Sequence, residues 1–134
     1  KYQNNKTNYD LIFIGDFDFL DAETIKKINS INKENFYKKK LVIYLNYGGK
    51  EDIQQAAKSS KFDRNFEKNL KSNKFPDPDI LIRTGGFMRL SNFLLYQLAF
   101  TEIFFLKKLW PNLEIRDIKK IISDFSKIER KFGK

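Results

Sequence analysis

The sequence contains no cysteine and no histidine. Without cysteine there is no disulfide and no thiolate metal site within the chain. Without histidine the commonest general base and the commonest metal ligand are both gone, so any chemistry falls to carboxylates, arginine, lysine or hydroxyl groups. Long apolar runs are lacking too: the longest, Phe93 to Leu106, is broken by Gln97, Thr101 and Glu102 and is too short to span a bilayer. The opening KYQNNKTNY has no apolar stretch and does not read as a signal peptide.

What is present is a globular composition. Hydrophobic residues make up 41% and charged residues 32% of 134 residues, with Phe and Tyr frequent. A chain of this length reads as a single domain over residues 1–134, large enough to bury a core. The formal charge of +9 favours an anionic partner, whether nucleic acid, a phosphorylated small molecule or an acidic membrane surface.

Short β-forming runs alternate with helical periods. DLIFIG (10–15) ends in glycine as a buried strand would, and Asp21 is placed to cap a helix whose Ile25, Ile28 and Ile31 share one face. LVIYLNYGG (41–49) repeats the order, with Ile53, Ala56 and Ala57 at helical spacing behind it. Phe62, Phe66 and Leu70 suggest another amphipathic helix, ended by the prolines of KSNKFPDPD. DILIRT is the next strand, Leu90 to Phe100 is apolar nearly all round as a buried helix would be, and EIFFL is a last short strand. From Ile115 to Phe132 an isoleucine and phenylalanine stripe predicts a closing helix. Strands apolar on both faces, alternating with helices, predict an α/β fold: a mainly parallel sheet covered by helices on both faces.

In such sheets ligands bind beyond the carboxyl ends of the strands. Arg83 lies at such an end, in DILIRTGGFMRLSNF; Gly85 and Gly86 allow a tight turn, and Arg89 and Ser91 follow it. Two guanidiniums, a hydroxyl and free backbone amides suit a diphosphate, because the planar arginine fork binds phosphate oxygens in pairs. Two surface arginines flanking an ordinary turn are the alternative. Asn46 to Gly49 reads as a strand-end loop rather than a phosphate loop, since GGKE lacks the required glycine spacing and hydroxyl. Trp110 and Pro111 read as packing, and the lysines at 38–40 as a solvated face.

IRTGGFMRLSNFLLYQLAFTEIFFLKKLWPNLE resembles the signature of the cis-prenyltransferases, the family of undecaprenyl and dehydrodolichyl diphosphate synthases. IGDFDFL, LNYGGKEDI and ERKFGK resemble further segments of that family in its order, so the resemblance runs from Leu11 onward. It implies an Mg2+-dependent transferase that condenses isopentenyl diphosphate with an allylic prenyl diphosphate into a long-chain cis-polyprenyl diphosphate. By matching position, Arg83, Arg89 and Ser91 would hold the diphosphate of isopentenyl diphosphate, and Glu102 would bind the metal. A salt bridge or a backbone cap is the competing role for Glu102.

The resemblance also implies a homodimer or heteromer, cytoplasmic or peripheral to a membrane. The family's DGNGRW-like segment, whose aspartate binds metal and allylic diphosphate, has no match here, so the catalytic aspartate is not in this chain. The chain is therefore expected to be the C-terminal portion of a synthase and inactive alone.

Two positions depart from the family. Phe87 stands where Glu usually follows the glycine pair, and Lys131, Phe132 and Gly133 replace the Arg-x-Gly that reaches a neighbouring subunit's diphosphate site, leaving Lys131 and Gly133 as the candidate cross-subunit contact. A noncatalytic partner subunit of a heteromeric prenyltransferase is the second reading. A basic nucleic-acid-binding domain ranks last, since no RRM, zinc-finger or helix-turn-helix signature is present and the lysines are scattered; no nucleic-acid partner is expected.

Overall fold

The computed structural model describes residues 9–33, 36–60 and 65–131. The run Asp10–Gly15, with Leu11 to Ile14 at its centre, makes β1, and Lys40–Leu45 makes β2. The two run parallel in unbroken register from Asp10 opposite Lys40 to Gly15 opposite Leu45. Parallel neighbours need a crossover, and α1 (Ala22–Ile31) supplies it. Asp21 caps α1, accepting from the Thr24 amide at 2.9 Å and the Thr24 hydroxyl at 2.6 Å. Such a cap stabilises a helix by about 1 kcal/mol.

Two polar side chains lock this unit. Asn32, just past α1, accepts from the Phe13 amide at 2.8 Å and donates to the Phe13 carbonyl at 2.9 Å. One side-chain amide thus satisfies both backbone groups of a strand residue, as a neighbouring strand would. Asp10, only 4% exposed, accepts from the amides of Phe36 and Tyr37 and from the Lys40 ammonium. Desolvation pushes its carboxyl up, but the Lys40 bond and the two amides outweigh that and hold it below the ordinary carboxylate value. Lys40 therefore belongs to an ion pair rather than to a solvated face, while Lys38 and Lys39 are exposed.

Helix α2 (Gly49–Ser59) follows β2 and buries Ala56 completely. Strands β3 (Ile80–Arg83) and β4 (Glu102–Phe105) form a second parallel pair, Ile80 opposite Glu102 and Arg83 opposite Phe105. Helix α3 (Ile115–Phe125) closes the sequence of elements. The expected α/β class and parallel pairing are thus present, in two two-stranded ladders.

Three expectations are corrected. The segment from Leu90 to Phe100 is a chain of turns, because Ser91, Asn92 and Leu94 have φ of 49°, 63° and 44°, which breaks an α-helical ladder. Asn92 gives its carbonyl to the Gly49 amide at 2.6 Å and its side chain to the start of α2, so these groups serve another element. The closing helix stops at Phe125 rather than Phe132, with Ser126 as its cap. Trp110 is 73% exposed in a short 3-10 turn and does not pack within this chain. Of the expected Phe62–Leu70 helix, residues 61–64 lie outside the described residues, and a single 3-10 turn, Glu67–Asn69, follows.

Several apolar side chains on the strands and on α3 are exposed here, among them Leu41, Ile43, Ile103, Phe105, Ile115 and Ile122. Leu41 and Ile43 share one face of β2, and Ile103 and Phe105 one face of β4, so each strand pair retains an uncovered apolar face within this chain. Among the described residues no helix is long and apolar enough to cross a membrane.

Candidate functional site

Arg83 is the last residue of β3, and its carbonyl accepts from the Leu106 amide at 2.7 Å, extending the ladder one step past β4. The chain then turns through Gly85 and Gly86, whose φ of 88° and 80° lie in the region that residues with a Cβ rarely adopt. The Gly85 amide donates to the Lys108 carbonyl at 2.8 Å and the Gly86 amide to the Leu106 carbonyl at 2.9 Å. The loop is thus pinned along the segment that follows β4. Its apex carries Phe87, 52% exposed.

The Arg89 guanidinium lies 4.3 Å from the Phe87 ring centroid and the Arg83 guanidinium 6.0 Å from it, both within cation–π range. One aromatic ring therefore brings together the two arginines picked out in the sequence. Neither has a carboxylate partner among the described residues, whereas Arg116 pairs with Glu114 and Arg130 with Asp79. Ser91 is exposed two residues on, in left-handed backbone, beside the Asn92 that fastens the loop to α2.

Two cavities flank this segment. One of about 320 Å³ is lined by Leu81, Ile82, Arg83, Thr84, Leu90 and Phe93; it contains Arg83 but neither Arg89 nor Ser91. A larger one, about 420 Å³, opens at the carboxyl ends of β1 and β2 between Asp16, Asn46, Tyr47, Glu51, Asp52, Lys71 and Asn92. Its wall carries three carboxylates against one lysine, so an anion is better served by the arginine loop.

The larger cavity is built on Asp52, which is 3% exposed. Its carboxylate accepts from the Tyr47 hydroxyl at 2.9 Å, the Lys71 amide at 2.8 Å and the Ser72 hydroxyl at 3.3 Å. Burial, reinforced by this bond to Asp52, pushes the Tyr47 phenol far up, and burial pushes Tyr44 up to about 12. Both phenols are neutral at physiological pH, and Tyr47 acts as a donor.

Glu102 begins β4 opposite Ile80, whereas Arg83 ends β3 opposite Phe105. Three positions along a parallel ladder correspond to about 10 Å, so Glu102 stands at the other end of the strand pair from Arg83. Among the described residues no group of three or more carboxylates is placed to hold one metal ion. Magnesium usually takes one or two carboxylates with substrate phosphates and waters, so a lone carboxylate such as Glu102 does not by itself mark a magnesium site. Lys131 is exposed, and Gly133 lies outside the described residues. Arg130, next to Lys131, ties the end of the chain to Asp79 and to the Phe100 carbonyl at 3.1 Å.

Two residues of this region are missed by sequence reasoning. Asn92 accepts from the Lys50 amide at 2.8 Å and donates to Glu51 at 2.9 Å, across more than 40 residues of chain. Its place three residues after a second arginine, at the end of LSN, carries no local sign of that bond. For Asp52 a signal did exist: it is an acid within an otherwise small and apolar helical face beside Ile53 and Ala56.

The chain is similar to known proteins of one family. The family model described as "Putative undecaprenyl diphosphate synthase" matches residues 1–133. The isoprenyl transferase of Aquifex pyrophilus is 40% identical over 131 residues, covering 91% of this chain and 57% of its own length. The tritrans,polycis-undecaprenyl-diphosphate synthase (geranylgeranyl-diphosphate specific) of Pyrobaculum aerophilum is 37% identical, with the same shares covered. The crystal structure of a probable undecaprenyl diphosphate synthase from Campylobacter jejuni superposes with a TM-score of 0.83 at 32% identity, over 99% of this chain and 67% of that one. The lavandulyl diphosphate synthase of Lavandula x intermedia, solved with dimethylallyl diphosphate, gives 0.82 at 32% identity, over 98% of this chain and 63% of that one. The chain spans a little over half the length of the curated relatives it matches. From the arginine loop, the parallel strand pairs and these matches together, the chain belongs to the undecaprenyl diphosphate synthase family of cis-prenyltransferases.

Proposed function

We propose that the full-length protein condenses isopentenyl diphosphate with an allylic prenyl diphosphate to build a long-chain cis-polyprenyl diphosphate, and that this chain carries the isopentenyl diphosphate site. The observation that carries the reading is the pair of guanidiniums, Arg83 and Arg89, gathered over one ring at the carboxyl end of β3 and without a carboxylate partner among the described residues. Arg83 and Arg89 would take the diphosphate oxygens, with Ser91 donating a further hydrogen bond. The reaction ionises the allylic diphosphate, adds the isopentenyl double bond and releases a proton, so this chain's contribution is to hold one substrate's diphosphate and orient its alkene. Glu102 is proposed as one Mg2+ ligand, the metal serving to neutralise phosphate charge. Lys131 and Gly133 are proposed to reach a neighbouring subunit's site in a homodimer or heteromer. Cytoplasmic or membrane-peripheral placement belongs to the same proposal.

The test is steady-state elongation by the full-length protein with labelled isopentenyl diphosphate, an allylic diphosphate and Mg2+. Hydrogen bonds to charged groups contribute about 1.5–3 kcal/mol each, so Arg83→Ala or Arg89→Ala should raise KM for isopentenyl diphosphate about ten- to a hundredfold. Unchanged kinetics in both variants would overturn the assignment. A noncatalytic partner subunit is the second reading, favoured by the apolar Phe87 beside the arginines and by the separation of Glu102 from Arg83 along the strand pair. Elongation by the purified full-length protein, with no second gene product added, excludes it.

A further inference from the structure

We infer that Phe87 is a positioning residue of the diphosphate site: its ring gathers the Arg83 and Arg89 guanidiniums while leaving both positive charges free for the incoming anion. The inference rests on the reading of the arginine loop as a diphosphate site. Two guanidiniums that act on one ligand repel each other before it arrives, so something must hold them together. A carboxylate between them would do so by cancelling charge. The face of an aromatic ring holds cations through its quadrupole and cancels none of it.

The geometry fits that role. Phe87 is half exposed at the apex of a loop whose backbone is fixed by the Gly85 and Gly86 amides, so its ring is presented from a rigid base rather than from a free turn. Arg89 lies 4.3 Å and Arg83 6.0 Å from the ring centroid. Neither guanidinium has a hydrogen-bond or ion-pair partner among the described residues. A guanidinium over a ring keeps its in-plane N–H donors available, and those donors bind phosphate oxygens in pairs. Phe87 thus makes the site more electropositive than an acid at the same place would, and diphosphate binding should not need a metal ion.

The experiment is calorimetric titration of the full-length protein with inorganic diphosphate in the presence of a chelator, at several salt concentrations. Each exposed cation–π contact corresponds to about a two- to fivefold change in affinity. Phe87→Leu, which keeps an apolar side chain without a π face, removes both contacts and should therefore weaken binding about four- to twenty-five-fold, and Phe87→Trp should retain wild-type affinity. Phe87→Glu should weaken it further and flatten the salt dependence, since one positive charge is cancelled. Equal affinity of Phe87→Leu and wild type, with Arg89→Ala weakened, overturns the role of Phe87 and leaves the diphosphate site standing. Equal weakening by Leu and Trp likewise overturns it, since the ring face would then not be what matters. Full affinity in both Arg83→Ala and Arg89→Ala overturns the diphosphate reading itself.

Discussion

Asn92 joins the arginine loop to the first sheet unit, and its replacement tests that link. Gly48, the residue before α2, offers no side-chain cap. The helix start is instead served by Asn92, whose side chain accepts from the Lys50 amide and donates to Glu51, and whose carbonyl accepts from the Gly49 amide. Asn92→Ala removes both side-chain bonds, a loss of about 0.5–2 kcal/mol for an N-terminal cap. It also forces alanine into left-handed backbone at φ 63°, at a further cost of about 1 kcal/mol. The expected total is about 1.5–3 kcal/mol. Asn92→Gly loses the same bonds but accepts the backbone, so it should be destabilised by only about 1 kcal/mol. Urea denaturation of both variants measures the difference, which corresponds to a midpoint shift of about 0.5 M. The Glu51 carboxyl, held low chiefly by the Asn92 bond, should titrate higher in both variants by NMR. Asn92→Ala indistinguishable from wild type, or Asn92→Gly as unstable as Asn92→Ala, would refute the cap and the strain respectively.

Two further outcomes follow from the structure. The Asp10 carboxyl is held below its ordinary 3.8, so its contribution to stability is full above about pH 4 and is lost as pH falls through the folded value. Asp10→Asn should therefore flatten the acid limb of the stability–pH curve, and an acid limb as steep as wild type contradicts the pairing with Lys40. If Glu102 is a magnesium ligand, Glu102→Gln should raise the Mg2+ concentration needed for half-maximal elongation while leaving chelator-treated diphosphate binding unchanged; an unaltered Mg2+ requirement would assign Glu102 to structure alone.

Local features were legible in the sequence. β1 occupies the DLIFIG segment, and Asp21 caps α1, because a short β-forming run closed by glycine and a carboxylate three residues before Thr24 act through near neighbours. The four strands and their parallel sense followed from apolar runs alternating with helical periods. The stretch from Leu90 to Phe100 was misread because its apolar content is helical while its backbone is set by Asn92, whose partners Gly49, Lys50 and Glu51 are remote in sequence. The stripe on α3 shows a different limit: Ile121 is buried, yet Ile115 and Ile122 on the same stripe are exposed, since periodicity fixes a face without naming what covers it.

At the site, Arg83 and Arg89 stood out by their place around a glycine turn at a strand end, and the structure brings both to one ring. Phe87 could be read only as an apolar departure, because its contact with both arginines depends on the left-handed turn at Gly85 and Gly86. The distance between Glu102 and Arg83 depends on strand register, which apolar patterning alone leaves open when strands are buried on both faces.

The most direct test of the central claim is a crystal structure of the full-length protein with isopentenyl diphosphate alone, which does not condense without an allylic co-substrate. The expected density places the diphosphate within hydrogen-bond distance of the Arg83 and Arg89 guanidiniums and the Ser91 hydroxyl, over the exposed edge of Phe87. A diphosphate seated instead in the cavity between Asp16, Asp52 and Lys71, with both arginines unengaged, would contradict it.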